Sequence, residues 1–304
     1  MKSSTSSKPE ILVSVVVPIH NIEDKLDNLL KWLPCAIELG FEVILVCNGC
    51  LDNSFKLLET FLNSTSSENT KLLEIKEVGP GQARNTGLKM SSGKYTVFWD
   101  ADDLGDPSNL LEAIKESRTA DVVIGRYSVT SAMINPPTAK PQQIPNADLN
   151  AFALNPGLWR CIFLTSSIKG IEFGESRMGE DQVFLSRFLA TNPEINFSHQ
   201  NIYTYTIENP GQLTSVKKNM QGLVESSRNI LDLINTVSTK YQKILIVFFI
   251  RQSITGIKKG EIRVKVIMFA NLIRFLLTYK SKGTRKKEEL KLFLGIFSGA
   301  INVD

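Results

Sequence analysis

Residues Gly79–Asp103 read GPGQARNTGLKMSSGKYTVFWDADD. In chain order they describe a glycine-bordered turn, a helix, a strand and a strand end carrying three carboxylates. Gly79-Pro80-Gly81 suits a tight turn into a helix N-terminus, which attracts anions, with Arg84 one turn further on. A dinucleotide-binding fingerprint is excluded, because Arg84 stands where the last glycine belongs and the turn follows the third strand of the series. Tyr95–Asp100 is a short apolar strand, and Asp100, Asp102 and Asp103 then fall within four positions. Carboxylates so close repel one another unless a cation neutralises them, and hard divalent cations take oxygen ligands while leaving positions open for phosphate. The competing reading is structural: Asp100 and Asp103 cap the helix that begins near Asp106, and the third carboxylate is solvated.

Outward from this stretch the same alternation repeats. ILVSVVVPI (11–19), FEVILV (41–46), KLLEIKEV (71–78), YTVFWD (95–100) and DVVIGRYSV (121–129) are apolar runs, and amphipathic stretches separate them. Such a series predicts an α/β fold with a mostly parallel sheet and helices on both faces. Ligands then bind beyond the carboxyl ends of the strands. Those ends hold Pro18-Ile19-His20-Asn21, Cys47-Asn48-Gly49-Cys50-Leu51-Asp52 and the Asp100–Asp103 group.

Cys47-x-x-Cys50 raises zinc and redox chemistry, and the rest of the chain answers neither. Cys35 and Cys161 form no second pair, His20 and His199 are the only histidines, and Cys47 ends a strand rather than opening a helix. Four unpatterned cysteines and a start, MKSSTSSKPE, without an apolar run suggest a reducing, cytoplasmic setting.

The stretches VSVVVPIHN, VCNGCLDNS, GPGQARNTGLKMSSGKYTVFWDADD and GLWRCIFLTSSIKGIEFGESRMGEDQVF resemble, in order and spacing, the inverting glycosyltransferases of family 2, over roughly residues 11 to 190. The resemblance implies a GT-A fold and transfer of a sugar, of hexosyl type, from a nucleotide diphosphate sugar to a saccharide or lipid-linked acceptor in cell-surface polysaccharide synthesis. It also assigns roles. Pro18, His20, Asn21, Asn48, Asp52, Arg84, Asp100 and Ala101 would hold the nucleotide. Asp100 and Asp102, supported by Asp103, would hold Mn²⁺ or Mg²⁺. Trp159 and Gly179 would shape the acceptor side, and Asp181, with Glu180 beside it, would be the general base. At the end of the second strand the family usually has Asp-Asp-Gly-Ser-x-Asp. Here Cys47 and Cys50 replace Asp and Ser, and Asn48 replaces a base-reading carboxylate with an amide suited to uracil, so a UDP-sugar is favoured. Two rivals remain: a sugar nucleotidyltransferase, which would want a basic Gly-rich loop where this chain has VPIHNIEDK, and an inactive sugar-nucleotide-binding protein of the same fold.

The expected organisation is a flexible residue 1–10 segment, a catalytic domain over 11–215 and a basic helical region over 216–304. The catalytic domain divides into a nucleotide half (11–129) and an acceptor half (130–215). Thr130 to Pro156 reads as an irregular connection, GIEF (170–173) as a short strand, and the chain after Gly211 as helical, with breaks near Gly260 and Gly283. Residues 240–304 carry 14 Lys/Arg against 4 Asp/Glu, while the whole chain has 35 against 31. KILIVFFIRQSITGIKKG and RVKVIMFANLIRFLLTYKSKGTRKK interleave basic with apolar residues, too often interrupted to span a membrane. Two readings follow: amphipathic helices on an anionic membrane surface, or helices packed on the catalytic domain or a second subunit. A dimer is the candidate oligomer, and no nucleic-acid partner is expected.

Overall fold

The computed structural model describes residues 10–65, 68–117, 119–131, 142–143, 148–207 and 220–279. Residues 1–9, Gly283 and most of the proline-rich connection lie outside these, as does the expected boundary at 215.

Strands β1 (Val13–Ile19), β2 (Glu42–Asn48), β3 (Thr70–Ile75) and β4 (Tyr95–Phe98) pair in parallel in the order β3-β2-β1-β4. The helices α1 (Leu26–Glu38), α2 (Ser54–Ser64) and α3 (Pro80–Met90) make the crossovers. Continuous apolar runs suit strands covered on both faces. Val13, Val15 and Val17 face one core layer with Leu29, Trp32 and Leu33 of α1, and Val16 faces the other with Ala83 of α3.

Beyond β4 the pattern departs from a simple βαβ series. The ribbon β5 (Leu104–Gly105) and helix α4 (Pro107–Glu116) lead to β6 (Val122–Ser131), with β7 (Gln142–Gln143) paired to it. After α5 (Leu149–Leu154) comes β8 (Cys161–Leu164), which inserts antiparallel between β4 and β6. Helix α6 (Glu180–Ala190) precedes the long β9 (Ile195–Ile207), parallel to β6 through a register shift near Arg126 and antiparallel to β5. This is a GT-A sheet, parallel through its nucleotide half and again at β6 and β9.

GIEF is not a strand. Its backbone is paired by a side chain instead: Phe173 N–H donates to Asn85 Oδ1 (2.8 Å), and Asn85 Nδ2 donates to the Phe173 carbonyl (3.3 Å). The strand in this region is β8, nine residues earlier, within the stretch LWRCIFLTSSI.

Three helices follow, α7 (Gln221–Leu233), α8 (Thr239–Lys259) and α9 (Ile262–Thr278). The expectation of a membrane-surface helix over 243–260 fails. Thirteen of the twenty-one residues of α8 are buried, the continuous run Ile244–Ile250 among them. They join Phe152, Phe184 and Phe188 in one core. A helix apolar all round is a core helix. Among the described residues no helix is long and apolar enough to cross a membrane.

At the opposite end of the sheet from the strand termini, Glu42 is 1% exposed. It accepts hydrogen bonds from Lys71 Nζ (2.6 Å), the Ser92 N–H (2.7 Å) and hydroxyl (2.8 Å), and the Ser14 hydroxyl. Burial pushes its carboxyl up, but these donors outweigh it and hold it below the usual carboxylate range. Glu42→Gln is therefore expected to cost about 2–3 kcal/mol at neutral pH, less than a fully buried pair because Lys71 keeps water contact. A depressed carboxyl stabilises the fold above its unfolded value, and that contribution is lost as pH falls through the folded value. Urea titrations of both proteins should thus converge at acid pH; a pH-independent gap would show that the charge is not what stabilises.

Candidate active site

The carboxyl ends of β1, β2 and β4 and the N-terminus of α6 open on one cleft of about 1000 Å³. On the side formed by the ends of β1 and β2 lie Pro18, His20, Asn21 and Asn48. His20 Nδ1–H donates to the Asn48 carbonyl (2.7 Å), joining the β1 and β2 ends. Asn21 takes a left-handed backbone, φ 50°, and its Oδ1 accepts from Leu51 N–H (2.8 Å). Asparagine tolerates that region better than most residues.

Two expectations change here. Asn48 is buried, and both ends of its amide are spent on one residue: Nδ2 donates to the Val78 carbonyl and Oδ1 accepts from Val78 N–H, each at 2.7 Å. It clamps the loop before α3 rather than presenting an edge to a base. Asp52 does not border the cleft. Its oxygens accept from Ser54 N–H (3.0 Å) and Glu23 N–H (2.9 Å), so it caps α2 and ties the β1 loop to it. The thiols are free, and Cys47 is fully buried, its proton held more tightly by burial and by Cys50.

The three strand-end carboxylates separate. Asp100 and Asp102 border the cleft, as does Ala101. Asp103 is 2% exposed and turns inward, accepting from the Tyr203 hydroxyl (2.8 Å) and Thr206 N–H (2.6 Å). Burial, then Asp100 and Asp102, push it up to about 8. It pins the acidic loop to β9 and still borders the cleft. The Asp106 side chain caps α4 by accepting from Asn109 N–H (2.9 Å), so capping does not occupy Asp100.

Opposite stands the start of α6. Gly179 has φ 82°, a left-handed turn that glycine adopts without cost, and it swings Glu180 and Asp181 into the cleft wall. Arg84, 8% exposed, spans the two sides. Its Nη2 donates to Asp100 Oδ1 (2.7 Å) and its Nη1 to Glu180 Oε1 (2.8 Å). Gly81 allows this approach, since a Cβ there would lie 2.4 Å from the Gly174 carbonyl. Glu180 is pushed up to about 7 by burial and by Asp181, with Arg84 pulling the other way. Asp181 is raised by burial, while Arg84 opposes.

The wall where Trp159 was expected is aromatic. Trp159 stacks on Tyr203 (4.7 Å between centroids, 11°) and on Tyr205 (5.7 Å, 10°), with Tyr127 edge-on at 4.6 Å. Sequence reasoning found Trp159 and missed the tyrosines. Their signal was the alternation in INFSHQNIYTYTI, which puts Tyr203 and Tyr205 on one face of β9. Tyr205 borders the cleft, its hydroxyl raised to about 12 by burial and by the aspartates. His199 lies away from the cleft, accepting from Arg126 Nη2 (3.0 Å) at the surface.

Residues 14–169 match the model of Glycosyl transferase family 2, just over half the chain. The chain belongs to that family. Among curated glycosyltransferases, GlyG of Streptococcus pneumoniae serotype 4 is 26% identical over 64% of this chain and 70% of its own length. The poly(ribitol-phosphate) beta-glucosyltransferase of Bacillus spizizenii is 25% identical over 79% of this chain, but that match takes in only 40% of the relative. For GlyA of the same Streptococcus the corresponding share is 36%. Solved structures share the fold: Staphylococcus aureus TarS 1-349 in complex with UDP-GlcNAc has TM-score 0.61 at 20% identity, covering 96% of this chain and 82% of that one. The mannosyltransferase PcManGT of Pyrobaculum calidifontis, in complex with GDP-Man and Mn²⁺, has TM-score 0.53 at 14% identity, covering 95% and 82%.

Proposed function

We propose that this family 2 glycosyltransferase moves a sugar, with inversion, from a nucleotide diphosphate sugar to a hydroxyl of a saccharide or lipid-linked saccharide. A UDP-sugar is the favoured donor, the setting is cell-surface polysaccharide synthesis from cytoplasmic donors, and Mn²⁺ or Mg²⁺ assists. The observation that carries this reading is the facing of Asp100 and Asp102 against Glu180 and Asp181 across one cleft, with Arg84 bridging them. A protein that only bound a nucleotide sugar would have no use for a second carboxylate pair there.

The residues fit a divalent cation. Asp100 and Asp102 supply hard oxygens at the cleft edge, and no cluster of three or more ligating side chains occurs among the described residues. Magnesium-type sites often use one or two carboxylates, completed by water and substrate phosphates. Bound there, the ion would neutralise the diphosphate as it departs. The remaining steps belong to the chain. Asp181 takes the proton of the acceptor hydroxyl while that oxygen bonds to the anomeric carbon, and the bond from that carbon to the diphosphate oxygen breaks on the opposite face. Arg84 holds Glu180 and Asp100 apart at fixed separation, and Trp159 offers an aromatic wall for an acceptor ring.

The TarS complex with UDP-GlcNAc supports the UDP preference by likeness alone, and Asn48 no longer argues for it. In the test, Asp102→Ala is expected to lose the thermal protection that UDP plus Mn²⁺ gives the wild type. A panel of nucleotide sugars should then show metal-dependent release of one nucleoside diphosphate. Protection that survives both the substitution and a chelator would overturn the metal assignment.

A further inference from the structure

Helix α9 is apolar on two opposite faces. Val264, Met268, Leu272 and Phe275 are buried, and Val264 and Met268 cluster with Leu223 of α7 and with Met178. Leu223 and Met178 themselves border the catalytic cleft, so α9 lies one side-chain layer from the acceptor end. The other face is turned outward: Ile262, Val266, Phe269, Ile273, Leu276 and Leu277 are 46–80% exposed. At about 100° per residue they fall within an arc of roughly 100°, and the stripe runs about 22 Å along the axis.

The charges around this stripe are mostly of one sign, with Glu261 at the N-terminal end of α9 an exposed exception. Arg263 and Arg274 lie along one edge and Lys265 along the other, with exposed Lys258 and Lys259 just before the helix. Helix α9 contains no acidic residue, and Asp232 of α7 is engaged by Arg274 (3.1 Å). Two copies meeting through this stripe would set cationic edges against cationic edges. An anionic lipid surface answers both features, taking the apolar stripe into the acyl boundary and the Lys and Arg heads among phosphates.

We infer that the outward face of α9 docks the enzyme on anionic membranes, with the acceptor end of the cleft beside the bilayer. The presentation of a lipid-linked acceptor rests on the transfer reaction proposed above; docking itself does not. The test uses full-length protein and phosphatidylcholine vesicles with and without phosphatidylglycerol, in the absence of donor. Wild type is expected to partition at least about tenfold more strongly onto the anionic vesicles, and less so as salt rises. Val266→Asp with Phe269→Asp should lower that partition by about tenfold or more, with the thermal midpoint and the mass by light scattering unchanged. Arg263→Ser with Lys265→Ser should erase the preference for phosphatidylglycerol. Equal partition of wild type onto both vesicles, or no effect of the apolar double variant, overturns the inference. A wild-type dimer that the same variant converts to monomer also overturns it, by showing a protein interface instead. Nucleotide-sugar turnover, measured separately in solution, reports on the transfer reading independently of vesicle binding.

Discussion

Replacing Asp181 by Asn is expected to lower sugar transfer by about 10²–10⁴-fold, the usual contribution of a positioned proton acceptor, while nucleotide binding and fold persist. Asparagine matches the carboxylate in shape and still accepts from Gln182 N–H, a 2.8 Å bond in the native protein, so the start of α6 is not disturbed. What disappears is the ability to take a proton. Glu180 does not substitute for it, because Arg84 holds its carboxylate. Burial raises Asp181, so its basic form gains as pH rises through that raised value. Wild-type transfer should therefore climb across that range and the residual rate of the variant should not. Normal transfer by Asp181→Asn together with loss in Glu180→Gln would reverse the roles within the pair.

Arg84→Ala should be the most destabilising single change at the site. The guanidinium is buried and paired with two carboxylates, and burial alone would weaken its hold on its proton, but Asp100 and Glu180 more than reverse that. Its removal leaves Glu180 buried beside Asp181 with no counter-charge. Breaking a buried ionic arrangement from one side costs about 3–5 kcal/mol, which for a chain of this size is a fall of roughly 10 °C in Tm. The penalty should depend on pH. Without Arg84 the folded-state carboxyls rise further above their unfolded values, so the loss is full above the raised folded values and fades as pH falls toward the unfolded ones. Scanning calorimetry at pH 5 and pH 8 reads this directly; equal losses at both would place the effect in packing rather than charge. Arg84→Lys should fall between, since one ammonium does not reproduce a two-pronged contact.

The strands β1, β2 and β4 were legible because both faces of each are covered, and a strand buried on both sides writes an uninterrupted apolar run. The acidic strand end was legible because charge is costly to crowd and is therefore conspicuous in a sequence, whereas Glu180 and Asp181 stood out only through the family resemblance, since acidic residues in a first helical turn are ordinary. Crowding says nothing about direction, so the sequence did not show that Asp103 accepts from Tyr203 and Thr206, residues about a hundred positions away. Asn48 and GIEF share one cause. In each case an asparagine amide stands in for a strand, pairing Val78 in the first and Phe173 in the second. Such pairing has no periodicity to reveal it. The choice between a membrane surface and packing on the catalytic domain stayed open for α8 because Lys240, Lys243, Arg251, Lys258 and Lys259 interrupt its apolar run, and only burial separates the two.

Gln252 of α8 donates to Gln182 Oε1 (2.7 Å) and to the Ser226 hydroxyl (2.6 Å), which fastens the first turn of α6 to both α7 and α8. Gln182, the residue next to Asp181, is therefore held from a helix seventy positions later in the chain. For anyone recombining family 2 enzymes, this sets the size of the exchangeable piece. A hybrid joined between β9 and α7 would give α6 a foreign α7 and α8, break this three-way contact and tilt Asp181, however well its donor cleft was preserved. The smallest transplant that keeps this contact intact runs from α6 through the end of α8, and one that also carries the Tyr127–Trp159 wall must begin at β6.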